Sequence, residues 1–189
     1  VEDAGTREIY QHSAPLSYVT QRVPLFITTS TANLNANNAG FAGFNVRQGV
    51  PASSFATNGT PIRLTLTPPS AGTSTVIGGL WVGTTTSFPD FSAAPTQVLF
   101  SGSSTVTLTA GGAVVVSDSI GITLQSSLQF MASFAITSGD IRFNTGGQSS
   151  WTNYFHSLAS SQSSNTLNPG SGTIQNNSAG IISLIQAMG

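Results

Sequence analysis

The chain has 189 residues with hydrophobic content 39% and formal net charge −1, enough length and apolar bulk for one core that needs no staple. Its five basic residues (Arg7, Arg22, Arg47, Arg63 and Arg142) are scattered and there is no lysine, which excludes the clustered phosphate contacts of a nucleic-acid binder and the basic patch of an anionic-membrane binder. Cysteine is absent, so disulfides and thiolate chemistry are excluded as well.

Residues 1–22, polar and mixed in sign, read as an N-terminal arm or lead-in strand. "VPLFITTST" from Val23 is the first good strand candidate, and "ANLNANNAG" after it reads as a turn-rich loop, because Asn and Gly tolerate positive φ. "GFAGFNVRQG" is a further short strand with Phe41, Phe44 and Val46 as its apolar bulk. The clearest period of two is in "PIRLTLTPP": Ile62, Leu64 and Leu66 alternate with Arg63, Thr65 and Thr67, and Pro68 and Pro69 end the run. "STVIGGLWVGTTT" predicts a strand from Val76 to Val82 whose glycine pair marks a bulge or a close backbone approach.

"TQVLFSG" and "STVTLTAGG" continue the pattern, and in "AVVVSDSIGITLQ" Ile120, Ile122 and Leu124 alternate with polar positions. "SLQFMASFAIT" places Leu128, Phe130, Ala132, Phe134 and Ile136 on one face, and "GDIRFNTGG" offers a last short strand through Ile141 and Phe143. Strands with turn signals every ~8–12 residues predict an all-β fold, an antiparallel β-sandwich of jelly-roll type, over residues 23–146. Residues 147–180, dominated by Ser, Asn, Gly and Gln, read as a linker or an ordered loop tucked on the sandwich, and 181–189 as a terminal strand. No stretch reaches the roughly 18–20 apolar residues of a membrane-spanning helix, and membrane insertion is not expected.

Residues Pro61 to Ile136 resemble the N-terminal β-sandwich domain found in many SGNH/GDSL-type hydrolases. The likeness rests on "PIRLTLTPPSAGTSTVIGGLWVG", on Val98 to Gly102, on Thr105 to Leu108, on Val114 to Asp118 and on Leu128 to Ile136. It is a strand pattern and carries no catalytic signature. In such enzymes a linker leads from the sandwich to the first strand of an α/β hydrolase domain, which ends in Gly-Asp-Ser. The resemblance therefore implies that "IISLIQAMG" is that strand and Gly189 the glycine of that motif. The alternative is a last strand or helix packed on the sandwich itself. Gly-Asp-Ser occurs nowhere in the chain, and "SDS" at Ser117 to Ser119 sits inside a strand pattern, where an acyl-transfer nucleophile is not expected.

The remaining chemistry is sparse. His12 and His156 with Asp90, Asp118 or Asp140 make no triad and no ligand spacing, so no catalytic residue, cofactor or metal is expected. "WTNYFH" is the densest aromatic stretch. Trp151 and Tyr154 could stack on sugar rings while Asn153 and His156 bond hydroxyls, with Trp81 as a further platform; equally, the same residues could anchor the following segment by burial. Asp118 is read as a short acid bonding a turn amide. Two functions follow. One is a non-catalytic, carbohydrate-binding accessory module of an extracellular SGNH-type esterase, with a polysaccharide or glycan as its partner. The other is a structural or adhesive protein, such as a virion head or tail spike or an extracellular subunit that assembles with copies of itself; both place the chain outside cells or on a virion surface.

Overall fold

A computed structural model describes residues 24–28, 34–55, 58–144, 152–157, 165–175 and 182–188. In chain order the strands are β1 (Pro24–Thr28), β2 (Leu34–Asn38), β3 (Phe44–Val50), β4 (Ile62–Leu66), β5 (Thr75–Thr85), β6 (Thr96–Gln97), β7 (Val106–Leu108), β8 (Val115–Val116), β9 (Gln129–Ser138), β10 (Ile141–Asn144), β11 (Thr152–Ser157), β12 (Thr173–Gln175) and β13 (Ile182–Met188). Two short 3₁₀ turns, Ala39–Phe41 and Ala52–Ser54, are the helical pieces among the described residues.

The fold is all-β and its strand pairings are antiparallel. One sheet runs β1-β13-β4-β8; a larger one runs β12-β11-β3-β9-β5-β6, with β7 also on β5; β2 and β10 form a separate pair. Setting aside that pair and β11–β12, and treating β6 and β7 as one interrupted strand, eight strands remain. Their order is first–eighth–third–sixth in one layer and second–seventh–fourth–fifth in the other, the nested Greek keys of a jelly roll. A single buried apolar cluster draws on both layers: Ile62, Leu64, Leu66, Ile182 and Ile185 from the smaller sheet, and Val46, Leu80, Val82, Phe130, Phe134, Ile136 and Phe155 from the larger.

The period-two stretches become strands for the expected reason. Ile62, Leu64 and Leu66 are fully buried while Arg63 between them is exposed. Phe130, Ala132, Phe134 and Ile136 line the core along β9. The glycine pair in β5 coincides with register shifts between Val76 and Ile77 and between Ile77 and Gly79, so the bulge predicted from Gly78 and Gly79 is present.

Two segments differ from the sequence expectation, and a third agrees with one of its two readings. Leu34–Asn38, expected as a loop, is β2, and its partner is β10. Residues 147–180 were expected as linker or loop, yet Thr152–Ser157 is a strand hydrogen-bonded between β12 and β3. Its partner β3 lies over a hundred residues away in sequence, which no local polar bias reveals. Finally, β13 pairs with β1 on one side and β4 on the other. Both of its edges are used inside the sandwich layer, which leaves neither to found a second sheet.

Candidate functional site

The register of the larger sheet sorts its side chains into two faces. Toward the core, Leu80, Phe134, Val46 and Phe155 stand abreast on β5, β9, β3 and β11. One residue along, the opposite face carries Trp81, Ser133, Arg47 and Tyr154 abreast on the same four strands. The next row of that outer face holds Ala135, Asn45 and His156. This row of polar and aromatic groups is the densest concentration of chemistry in the described molecule, and nearly all of it is buried: Arg47, Ser133, Asn45, Tyr154 and His156 are each at most 4% exposed.

Two loops cover it. The Arg47 guanidinium donates from Nη1 to Pro89 O at 2.7 Å and Leu167 O at 3.0 Å, and from Nη2 to Thr166 O at 2.6 Å and Thr166 Oγ1 at 3.2 Å. Its carbon lies 4.9 Å from the centre of the Phe91 ring. Arg47 Nε has no hydrogen-bond partner in the described structure. Burial pushes the Arg47 pKa down to about 10, against the opposing pull of Asp90 and Tyr154, so the group remains a cation at neutral pH. The rigid, planar fork of donors is what lets one side chain collect carbonyls from two separate loops.

Tyr154 and His156 fasten the same cover further along β11. The Tyr154 hydroxyl donates to Gly170 O at 2.5 Å, and His156 Nδ1 donates to Ser171 O at 2.6 Å, which fixes the proton on Nδ1. The two rings stack with their planes 10° apart and centroids at 6.4 Å. Burial raises the Tyr154 phenol pKa, with Arg47 opposing. A Cβ on Gly172 would stand 2.4 Å from the Tyr154 hydroxyl, so this close approach requires glycine. The loops also hold each other: Phe91 N donates to Leu167 O at 2.9 Å, and Asn168 Nδ2 to Asp90 Oδ2 at 3.3 Å.

Of the five residues expected to form a sugar platform, three share this face: Trp81, Tyr154 and His156. Trp81 is half-buried, its six-membered ring lying against Gly79, where a Cβ would meet it at 2.5 Å. Tyr154 and His156 are covered. Asn153 is fully buried on the opposite, core-facing side, abreast of Gln48. Trp151 lies outside the described residues. Sequence reasoning missed Arg47; the available signal was a lone charge inside the alternating run "FNVRQGV" of a chain with so few charges.

Asp118 behaves as its sequence context predicts. Its carboxylate accepts from Ser101 N at 3.0 Å and Gly102 N at 2.8 Å, the two positive-φ residues of a turn closed by paired bonds between Phe100 and Ser103. A shallow groove of about 330 Å³, lined by Thr84, Thr96, Ile122, Thr123 and Gln125 among others, opens beside β5 and carries no charge. Among the described residues no group of three or more His, Cys, Asp or Glu is placed to hold a metal, and no helix is long and apolar enough to cross a membrane. No protein-family model matches the chain, and no curated protein matches its sequence.

Proposed function

We propose that the protein is a structural subunit that assembles with copies of itself, on a virion surface or in an extracellular layer. The observation that carries this reading is the strand order, first–eighth–third–sixth against second–seventh–fourth–fifth, an architecture used by capsid and lectin domains. One fold serves many functions, so the site must be weighed beside it. Here the polar and aromatic groups that a ligand would need are spent on the chain's own loops: Arg47 on three carbonyls, Tyr154 and His156 on Gly170 and Ser171. Such a network braces a shell component and leaves little for a sugar.

The composition supports the same reading. With a net charge of −1 and a surface of Ser, Thr, Asn and Gly, copies approach without long-range repulsion. The carbohydrate-binding accessory module of an SGNH-type esterase is the competing reading. It loses support because three of its five platform residues are buried and because β13, the strand that would open the hydrolase domain, is paired on both sides.

Sedimentation velocity and negative-stain microscopy of the purified chain, over a wide concentration range, separate the two. Defined oligomers or closed particles are the expected result. A monomer at all concentrations that binds discrete glycans on an array would overturn the assembly reading in favour of the accessory module.

A further inference from the structure

The smaller sheet has an unfinished edge. Among the described residues, strand β8 is last in the order β1-β13-β4-β8 and pairs with β4 alone. Ser117 N donates to Leu64 O, so by the alternation of an antiparallel ladder the N–H and C=O of Val114 and Val116 point away from β4. Two residues on, Asp118 N points the same way and meets Leu99 O at 2.8 Å. Among the described residues the edge is therefore closed at Asp118 and open at Val114 and Val116. Val114 is 52% exposed, Val116 44% and Leu99, beside the closed end, 37%; with Leu167 on another loop these are the exposed large apolar side chains of the described residues. An apolar, unprotected edge strand is a template for another strand.

Building on the assembly reading, we infer that this edge is completed by the N-terminal segment of a second copy, with Leu16–Thr20 added beside β8. Residues 1–23 precede the first described residue, Pro24, which opens β1 at the opposite edge of the same sheet. Within them "LSYVT" is the uncharged stretch richest in strand-forming side chains, and Pro15 stands just before it, where a strand tolerates proline. Its own chain cannot deliver it. From Thr20 to Pro24 a fully extended chain covers at most about 14 Å. A strand on the free side of β8 lies four strand spacings from β1, about 19 Å. The donor must therefore be another molecule. Main-chain bonds to Val114 and Val116 supply the affinity, and Leu16 or Tyr18 covers the exposed valines.

The test uses the full chain and three kinds of variant. Deleting residues 1–22, or substituting Val116→Lys, is expected to raise the concentration needed for self-association about tenfold or more in sedimentation, with unchanged far-UV circular dichroism showing that the fold is intact. Because the protein lacks cysteine, a Val116→Cys chain mixed with a size-tagged Tyr18→Cys or Leu16→Cys chain carries one thiol on each partner. On oxidation the mixed dimer is expected to exceed either homodimer. If wild type and the deletion variant assemble alike, the strand-exchange inference is overturned while the assembly reading stands. A wild type that stays monomeric at every concentration overturns both. Mixed and homodimeric crosslinks in random proportion also count against the inference.

Discussion

The two faces of the larger sheet share four strands and one register, yet they are built from opposite chemistry. On one side Leu80, Phe134, Val46 and Phe155 meet the smaller sheet. On the other, Arg47 and Tyr154, abreast of Trp81 and Ser133, bind the carbonyls of two loops. A sheet brings its own hydrogen-bonded backbone to a partner, so oily side chains suffice between two sheets. Loops bring bare carbonyls, and burying those requires donors. The outer face is polar because of what covers it. The contrast makes separable forecasts about how each side fails.

The largest effect is expected on the oily side. Phe134→Ala deletes a fully buried ring from the centre of the core and should cost about 3–5 kcal/mol, lowering the urea midpoint with the slope unchanged. Arg47→Met keeps much of the volume and removes the fork. It takes the guanidinium donors away from the carbonyls of Pro89, Thr166 and Leu167, the last of which keeps its bond from Phe91 N, at about 1–3 kcal/mol. The distinguishing readout is local. Hydrogen exchange should quicken in 86–92 and 165–172 in Arg47→Met, while Phe134→Ala should quicken exchange across all strands. Arg47→Lys should fail to restore the loops, since an ammonium cannot reproduce a planar fork. Uniform quickening in both variants would show that the two faces form one cooperative unit.

The same contrast explains what was legible beforehand. Alternation exposed the oily side: Ile62, Leu64 and Leu66, the β9 face from Phe130 to Ile136, and the bulge at Gly78 and Gly79 all follow from spacing and local sterics. Asp118 was readable too, because its partners belong to a turn that recurs with short acids. The braced side was not. Arg47 finds its acceptors 42 and 119–120 residues away, and sequence offers no cue for which carbonyls a lone arginine will collect. Strand β11 hid inside a polar run because its outward positions, Tyr154 and His156, are polar for the sake of the cover. The pairings of β2 with β10 and of β13 with β1 and β4 are likewise long-range, and composition is silent about them.

A smaller effect belongs to a third kind of polar closure, the turn at 100–103. Asp118→Ala removes both carboxylate bonds to Ser101 and Gly102 at a partly exposed site, for an expected loss of about 1–2 kcal/mol. Asp118→Asn should recover part of it, since one oxygen remains to accept. Thermal melts at low and high salt check this. A null result in both variants would mean that the positive-φ residues hold the turn unaided.

The smallest effect tests the braced face by pH. Tyr154 is held neutral by burial, with its pKa raised above the ordinary 10.0, whereas in the unfolded chain it ionises near that value. Between the two values the folded state retains a proton that the unfolded state has lost. The stability contributed by neutral Tyr154 is therefore complete below about pH 10 and declines as pH rises through that window. Arg47 acts in the opposite sense: its depressed value of about 10 lets the folded state shed a proton that the unfolded chain still holds, which favours folding as pH climbs further. Tyr154→Phe should cost about 1 kcal/mol at neutral pH, the worth of its bond to Gly170 O, and should flatten the decline. Urea denaturation of both proteins from pH 8 to 11 makes the comparison. Parallel curves would mean that the hydroxyl reaches solvent at no cost and that the cover over this end of the sheet is looser than the Arg47 end.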